Sequence, residues 1–326
     1  MKAYTRTSYG GPEILRFEEV EKPTVLKDQV LIKVMANSAN PADWHILRGA
    51  PFFARFTFGL FQPKNKMVGA DFAGIVVETG KDVTRFKAGD KVFGETLKGG
   101  AFAEYVCVPE TVCALMPESI GFEEMAALPV AGLTALQALV THGKVKAGET
   151  VLINGASGGV GHFAVQIAKA YGATVTAVCS SKNTGFVQSI GADKVIAYDK
   201  ENIHEHTEKY DLVVDANGNL HHADYKRMGR RAVMIGFTTM GHMFSTLFKK
   251  IFSKFPLIQF TAEANADDLR TLAELVEQGK VKPQIEKLFS FNEIPEAIGY
   301  IEAMRTRGKV VMQWLDDQSN SDSSNT

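Results

Sequence analysis

Seven consecutive residues, Gly155, Ala156, Ser157, Gly158, Gly159, Val160 and Gly161, carry the clearest chemistry in this chain. They follow the apolar run Val151, Leu152 and Ile153 directly, and they open a helix expected over 162–171 that stops at Gly172. A strand, a glycine-rich turn and a helix in that order suit a pyrophosphate. Glycine permits the sharp turn and the close approach of backbone to phosphate, while the helix N-terminus offers free N–H groups and partial positive charge. A glycine-rich turn with no ligand is the competing reading, and the register of strand, turn, helix and next strand weighs against it. A dinucleotide is the expected ligand.

Sites that select NAD place an Asp or Glu about 20 residues beyond the glycines, where it accepts from the ribose 2′-hydroxyl. No acidic residue occurs here between Glu149 and Asp193, and the second expected strand ends instead in Cys179, Ser180, Ser181, Lys182 and Asn183. Two hydroxyls and an ammonium suit a 2′-phosphate, which wants donors and positive charge. NADPH is expected over NADH. Ser180 can also start the next helix as its N-cap, a role compatible with phosphate binding.

A phosphate-binding turn needs a sheet to hold it. Short, Val-rich segments at 150–154, 174–179, 194–198, 211–215 and 232–236 have the look of parallel strands covered on both faces, with helices between them. That pattern predicts a doubly wound α/β nucleotide-binding domain. The first 110 or so residues differ, alternating β-branched runs at 30–34, 72–79, 91–93 and 101–108 with glycine turns and no long amphipathic helix. They predict a mostly antiparallel, barrel-like β domain. Helical spacing appears over 122–143. From about 265 a helix (267–278), a β segment (287–291), a second helix (294–305) and a last strand (308–314) close the fold. The polar, Ser- and Asn-rich tail 316–326 is expected to be disordered.

Composition excludes several classes of function. With 36 Lys and Arg against 37 Asp and Glu, no overall field attracts nucleic acid or an acidic membrane, and no nucleic-acid partner is expected. The most apolar stretch, 126–140, is broken by Pro129 and Gln137 and is too short to cross a bilayer. The N-terminal residues lack the apolar core of a signal peptide, so a cytoplasmic location is expected. Cys107, Cys113 and Cys179 form no CxxC pair, and buried, inert thiols are expected rather than disulfides or a zinc lobe.

Further motifs make the chain resemble a family. Asn40-Pro41-Ala42-Asp43-Trp44, Gly69-Ala70-Asp71-Phe72-Ala73-Gly74, Phe86-Lys87-Ala88-Gly89-Asp90-Lys91-Val92, Leu128-Pro129-Val130-Ala131-Gly132-Leu133-Thr134-Ala135 and Gly308-Lys309-Val310-Val311 join the glycine turn. Together they resemble the medium-chain dehydrogenase/reductases, in the quinone oxidoreductase-like branch that works without zinc, over nearly the whole length. The resemblance implies a GroES-like β-barrel catalytic domain from 1–122 with 265–326, and a Rossmann cofactor domain over 123–264. It implies that Asn40 and Thr134 touch the nicotinamide half of NADPH, that Tyr198 flanks the 2′-phosphate, and that Ala216, Asn217, Gly236 and Phe237 line the cofactor.

Zinc members of the superfamily need a Cys near position 40 and a His in the Gly-His-Glu turn, because zinc takes thiolate, imidazole and carboxylate ligands. Asn40 and Ala70 stand there instead. No metal is expected, and polarisation by hydrogen bonds fits quinones or conjugated enones as hydride acceptors. Asn40, Asp43 and His45 are the expected catalytic residues. Related enone reductases tend to carry a lysine at the place of His45. A histidine can donate a proton near neutral pH, and a cleft-edge histidine without a chemical role is the other reading.

Five phenylalanines crowd 51–61, either lining an apolar substrate mouth or simply covering the β domain. Phe244, Phe248, Phe252 and Phe255 run at helical spacing beside Lys249, Lys250 and Lys254. Such a stripe suits core or the subunit contact of a homodimer, which the resemblance implies, better than a peripheral membrane contact. The function expected is NADPH-dependent reduction of a small quinone or enone, and the rival is an NADPH-binding protein with a structural or regulatory role.

Overall fold

The computed structural model describes residues 1–235, 253–304 and 306–314, together with 241, 245, 246 and 248. The chain divides into two compact units, one of residues 1–129, 285–304 and 309–326, the other of residues 130–284 and 305–308. The segment 265–284, expected with the β domain, belongs instead to the second unit. Helix Ala266–Glu277 buries Leu269, Leu272, Leu275 and Val276. Gln137 donates to the Glu263 carbonyl and the Asp268 carboxylate at 2.8 Å each, and Gln166 holds Lys282.

In the first unit a seven-stranded sheet runs in the order Ile285–Ser290, Lys309–Gln313, Gln29–Ala39, Asp71–Thr79, Lys91–Glu95 and Cys113–Leu115, with Tyr105–Pro109 also on Gln29–Ala39. All pairings are antiparallel except the first. The long strand Gln29–Ala39 serves two partners: Gln29 to Lys33 pair with Tyr105–Pro109, and Ala36 to Ala39 with Lys309–Gln313. This exchange of partners, with register shifts at Leu31/Ile32 and Val34/Ala36, curls the sheet towards a barrel. The run 101–108 forms strand only from Tyr105. A helix not expected from the sequence, Pro41–Arg48, follows the long strand; Pro41 suits its first turn and Gly49 ends it in the left-handed conformation at φ 58°.

The second unit is a six-stranded parallel sheet in the order Lys194–Ala197, Thr174–Cys179, Thr150–Asn154, Tyr210–Asp215, Gly229–Met234 and Leu257–Gln259. That is the doubly wound order, with strand succession reversing beside Thr150–Asn154. Its strands are buried nearly throughout, as sheets covered on both faces must be. The expected helix 122–143 is divided into Phe122–Ala126, Pro129–Leu136 and a π turn Gln137–His142, since Pro129 has no N–H to continue the first piece.

One buried ion pair ties the first unit together across distant sequence. The Lys309 ammonium, 3% exposed, stands 3.2 Å from the carboxylate of fully buried Asp71. Removing one partner of such a pair strands a charge in the interior, which typically costs about 3–5 kcal/mol. Lys309→Met should therefore lower unfolding stability by about 3–5 kcal/mol in urea denaturation. Adding Asp71→Asn to it should recover part of that loss, because the stranded carboxylate goes with it.

Candidate functional site

At the end of the long strand the chain turns into helix Pro41–Arg48. There the Asn40 N–H donates to the Asp43 carboxylate at 2.8 Å, the carboxylate half of a capping box, which fixes Asp43 at the helix start. The Asn40 side chain is taken up elsewhere: its amide nitrogen donates to Asp71 Oδ2 at 2.8 Å, and its oxygen accepts from Lys309 Nζ. Ser38 Oγ adds a third donor to Asp71 at 2.6 Å. Strand register explains the gathering, since Ser38 faces Asp71 and Asp71 faces Glu95 across adjacent strands. Glu95 is 3% exposed.

The cluster thus holds three carboxyl groups and one ammonium. Burial, with Asp71 nearby, pushes Asp43 up to about 7 despite the opposing pull of its Asn40 bonds and Lys309. Burial and then the neighbouring Asp71 and Asp43 push Glu95 up to about 8. A lone ammonium cannot balance three ionised carboxylates in a medium this dry, so the cluster keeps protons near neutrality. Asp43 also stands in the wall of a cavity of about 370 Å³, a size suited to a small molecule, with Ala70, Thr96, Phe58 and Met67 around it.

His45 does not join this cluster. Two residues on from Asp43, it leaves the helix on a different face and stacks on Trp44 with ring centroids 3.6 Å apart. Its buried Nδ1 has no hydrogen-bond partner, and burial holds its pKa below the ordinary value. Of the phenylalanines in 51–61, Phe58 lines the cavity, whereas Phe52, Phe56 and Phe61 are exposed.

In the second unit Gly155 has φ 81°, and a side chain there would meet the Asn217 amide at 2.6 Å. A Cβ on Gly161 would stand 2.0 Å from the Gly155 carbonyl oxygen. Both glycines are required by the fold of the turn itself, which brings Asn217 beside Gly155. Asp215 orders that neighbour: it accepts from the N–H groups of Asn217, Gly218 and Leu220, from Asn154 Nδ2 at 2.7 Å and from the Tyr225 hydroxyl at 2.7 Å. Ala216 is held by its N–H on the Asn154 carbonyl. Ser157 accepts from Asn183 Nδ2, joining the glycine turn to the end of the second strand. The cradle these residues form runs from the glycine turn to Asn183, at the end of the second strand.

At that end Ser180 occupies the N-cap place but makes no side-chain capping bond. The N–H of Tyr198 binds the Cys179 carbonyl, which sets Tyr198, 54% exposed, beside Ser180. A carboxylate that the linear search between Glu149 and Asp193 could not find reaches the same place from the third strand. Asp199 accepts from the Ser181 N–H at 2.7 Å and from its hydroxyl at 2.6 Å, bonds that hold its pKa below the usual range. Thr134 donates its hydroxyl to the Val130 carbonyl one helical turn back. Gly236, Phe237, Phe244, Phe252, Lys249, Lys250 and the tail 316–326 lie outside the described residues. Of the remaining stripe, Phe248 is exposed and Phe255 packs on the core. Cys113 and Cys179 are buried and Cys107 half-buried; burial pushes Cys179 up to about 11 and raises the other two as well.

Sequence reading missed Glu95, Asp199 and the role of Lys309, because each acquires its place through strand pairing alone. The raised carboxyls make a pH test. The folded state binds protons that the unfolded chain releases near its ordinary values of 3.8 and 4.5, so the stability these two groups contribute is full below those values and is lost as pH rises towards 7 to 8. The slope is at most about 1.4 kcal/mol per pH unit for each proton. Glu95→Gln should flatten the decline of Tm between pH 5 and 8; an unchanged slope would remove Glu95 as its source.

Comparisons with known proteins agree with this architecture. The alcohol dehydrogenase GroES-like domain family matches residues 26–118, and the family described as zinc-binding dehydrogenase matches residues 190–312. An NADPH-dependent alkenal/one oxidoreductase of Arabidopsis thaliana chloroplasts is 35% identical, with 96% of this chain and 79% of that protein covered. A chloroplast envelope quinone oxidoreductase homolog of the same plant is 37% identical, over 96% and 98% of the two chains. The solved quinone oxidoreductase of Coxiella burnetii superposes with a TM-score of 0.85 at 32% identity, covering 97% of this chain and 99% of its own. Two units of GroES-like and Rossmann type, with relatives matched along almost the entire sequence, place the chain in the medium-chain dehydrogenase/reductase superfamily, among its quinone oxidoreductase-like oxidoreductases.

Proposed function

We propose that this protein transfers hydride from NADPH to the conjugated carbonyl of a quinone or an α,β-unsaturated ketone or aldehyde, without a metal. The observation that carries the reading is Asp43, a carboxyl with pKa about 7 in the wall of a largely apolar cavity. Zinc does not suit the residues present: the Asn40 amide is consumed by Asp71 and Lys309, and Ala70 has no ligand atom. NADPH, when bound, supplies the hydride. Gly155, Ala156, Ser157, Gly158, Gly159, Val160 and Gly161 would hold its pyrophosphate, with Ala216 and Asn217 alongside; Ser180, Ser181, Lys182 and Tyr198 would face its 2′-phosphate, and Asn40 and Thr134 its nicotinamide end.

A conjugated carbonyl that has accepted hydride is an enolate or hydroquinone anion and needs a proton. Asp43 is matched to give it, since general acids work best with pKa near the working pH. Asn40 acts as a positioning residue, carrying the Asp71 and Lys309 charges on its side chain and Asp43 on its backbone. The relatives' printed activities, on alkenals, enones and quinones, support the substrate class.

NADPH oxidation measured against a panel of quinones, enals, enones and simple ketones tests this reading. Turnover of conjugated carbonyls and not of simple ketones is expected; tight NADPH binding with no turnover would leave a cofactor-binding protein instead. Asp43→Asn should lower kcat by about 10²–10⁴, with activity declining above about pH 7 in the parent enzyme. A comparable loss in His45→Ala with Asp43→Asn unimpaired would return the proton to His45.

Cofactor choice has its own test. Lys182→Ala should weaken NADPH by about tenfold or more with little effect on NADH, as loss of a charge-assisted contact would. Asp199 places a negative charge where the 2′-phosphate would sit, so Asp199→Asn should favour NADPH by roughly fivefold. Equal effects on the two cofactors would move the phosphate elsewhere.

A further inference from the structure

Arg6 is the one guanidinium among the described residues that is both buried, at 2% exposed, and without an ion-pair partner. Its Nη1 donates to the Ile46 carbonyl, and its Cζ lies 5.4 Å from the Tyr9 ring centroid. Its buried Nε has no hydrogen-bond partner at all. A guanidinium stays charged at any pH a protein meets, so neutralisation cannot relieve the cost of burying it. Interior charges persist where something pairs with them.

Arg6 is also one of the residues lining the cavity of about 370 Å³ that Asp43 borders. Lys64 and Lys98, both exposed, stand at that cavity too, and Asp43 is the one acidic residue among its described lining residues. Phe58 and Met67 give it apolar walls. Three cationic residues and one carboxyl around apolar walls suit a ligand with a negative end and an apolar body.

We propose that this cavity binds a small organic anion: a carboxylate, held by the Arg6 guanidinium, on an apolar body that carries the reacting carbonyl. The anion subsite stands on Arg6 and the cavity; the reacting carbonyl rests on the reductase reading above. Arg, with its planar fork of donors, is the residue suited to a carboxylate. The Lys64 and Lys98 ammoniums at the cavity would favour entry of an anion over a neutral molecule of the same shape.

Calorimetric titration of the full chain with 4-oxo-4-phenylbutanoate and with its neutral carboxamide tests the anion subsite without any chemistry. The carboxylate is expected to bind the parent protein at least about tenfold more tightly, as a charge-assisted contact implies. In Arg6→Gln the two should bind with nearly equal affinity. Equal affinities in the parent protein, binding of neither compound at millimolar concentration, or a preference that survives Arg6→Gln would each overturn the proposal. The parent-protein comparison decides even if the variant fails to fold. NADPH oxidation with 4-oxo-4-phenyl-2-butenoate separates the two readings. A carboxylate preference in binding with no turnover of any enone leaves the anion subsite and removes the reductase. Turnover of neutral enones with no carboxylate preference removes the subsite and leaves the reductase.

Discussion

A single ammonium sets the electrostatics of the first unit. Lys309 is buried to 3% exposure, its ammonium donating to Asp71 and to the Asn40 amide oxygen. Its presence lets Asp71 be wholly buried, and Asp71 in turn orients Asn40 and accepts from Ser38. The remaining carboxyls, Asp43 and Glu95, gain little from that one cation and are raised by burial and by Asp71. Protons held at the wall of the cavity are thus a by-product of charge balance in the core. Stability and chemistry here are two readings of the same shortage of positive charge.

The second unit solves a different problem, that of bringing backbone close to an anion. Gly155 and Gly161 leave space that any side chain would fill with a collision, and the loop after Asp215 is pinned by five donors to one carboxylate. Rigidity on both sides of the turn keeps the helix N-terminus aimed at one place. At the end of the second strand Asp199 takes up both the N–H and the hydroxyl of Ser181.

What was legible in the sequence was whatever lies contiguous in it. The glycine turn, the parallel strands and the change from β to alternating β and α could each be read from a window of a few residues, and the strands at 150–154 and 174–179 fall on the apolar runs themselves. The acid cluster could not, since Asn40, Asp71, Glu95 and Lys309 meet only through the register of four strands. Asp199 was hidden for the same reason: it faces Ser181 from the neighbouring strand's end, outside the interval a linear search examines. Helix Pro41–Arg48 escaped notice because eight residues carry too short a periodicity, although Asn40, Pro41 and Asp43 spell its capping. The helix Ala266–Glu277 was legible as a helix, but which unit its apolar face would join depended on Gln137 and Gln166.

The distance along the chain between Asp71 and Lys309 also orders events during synthesis. The Lys309–Gln313 strand completes the pairing of Gln29–Ala39, and every residue of the parallel sheet is made before it. A growing chain holds Asn40, Asp71 and Glu95 with no cation among them until the last strand emerges, while the parallel sheet between them can already close on itself. Late, long-range closure of this kind is slow because the loop entropy must be met before the contact rewards it. A stop codon a few residues before Lys309 would therefore leave the parallel sheet whole, Ala36 to Ala39 without their strand partner, and the buried Asp71 carboxylate without its cation.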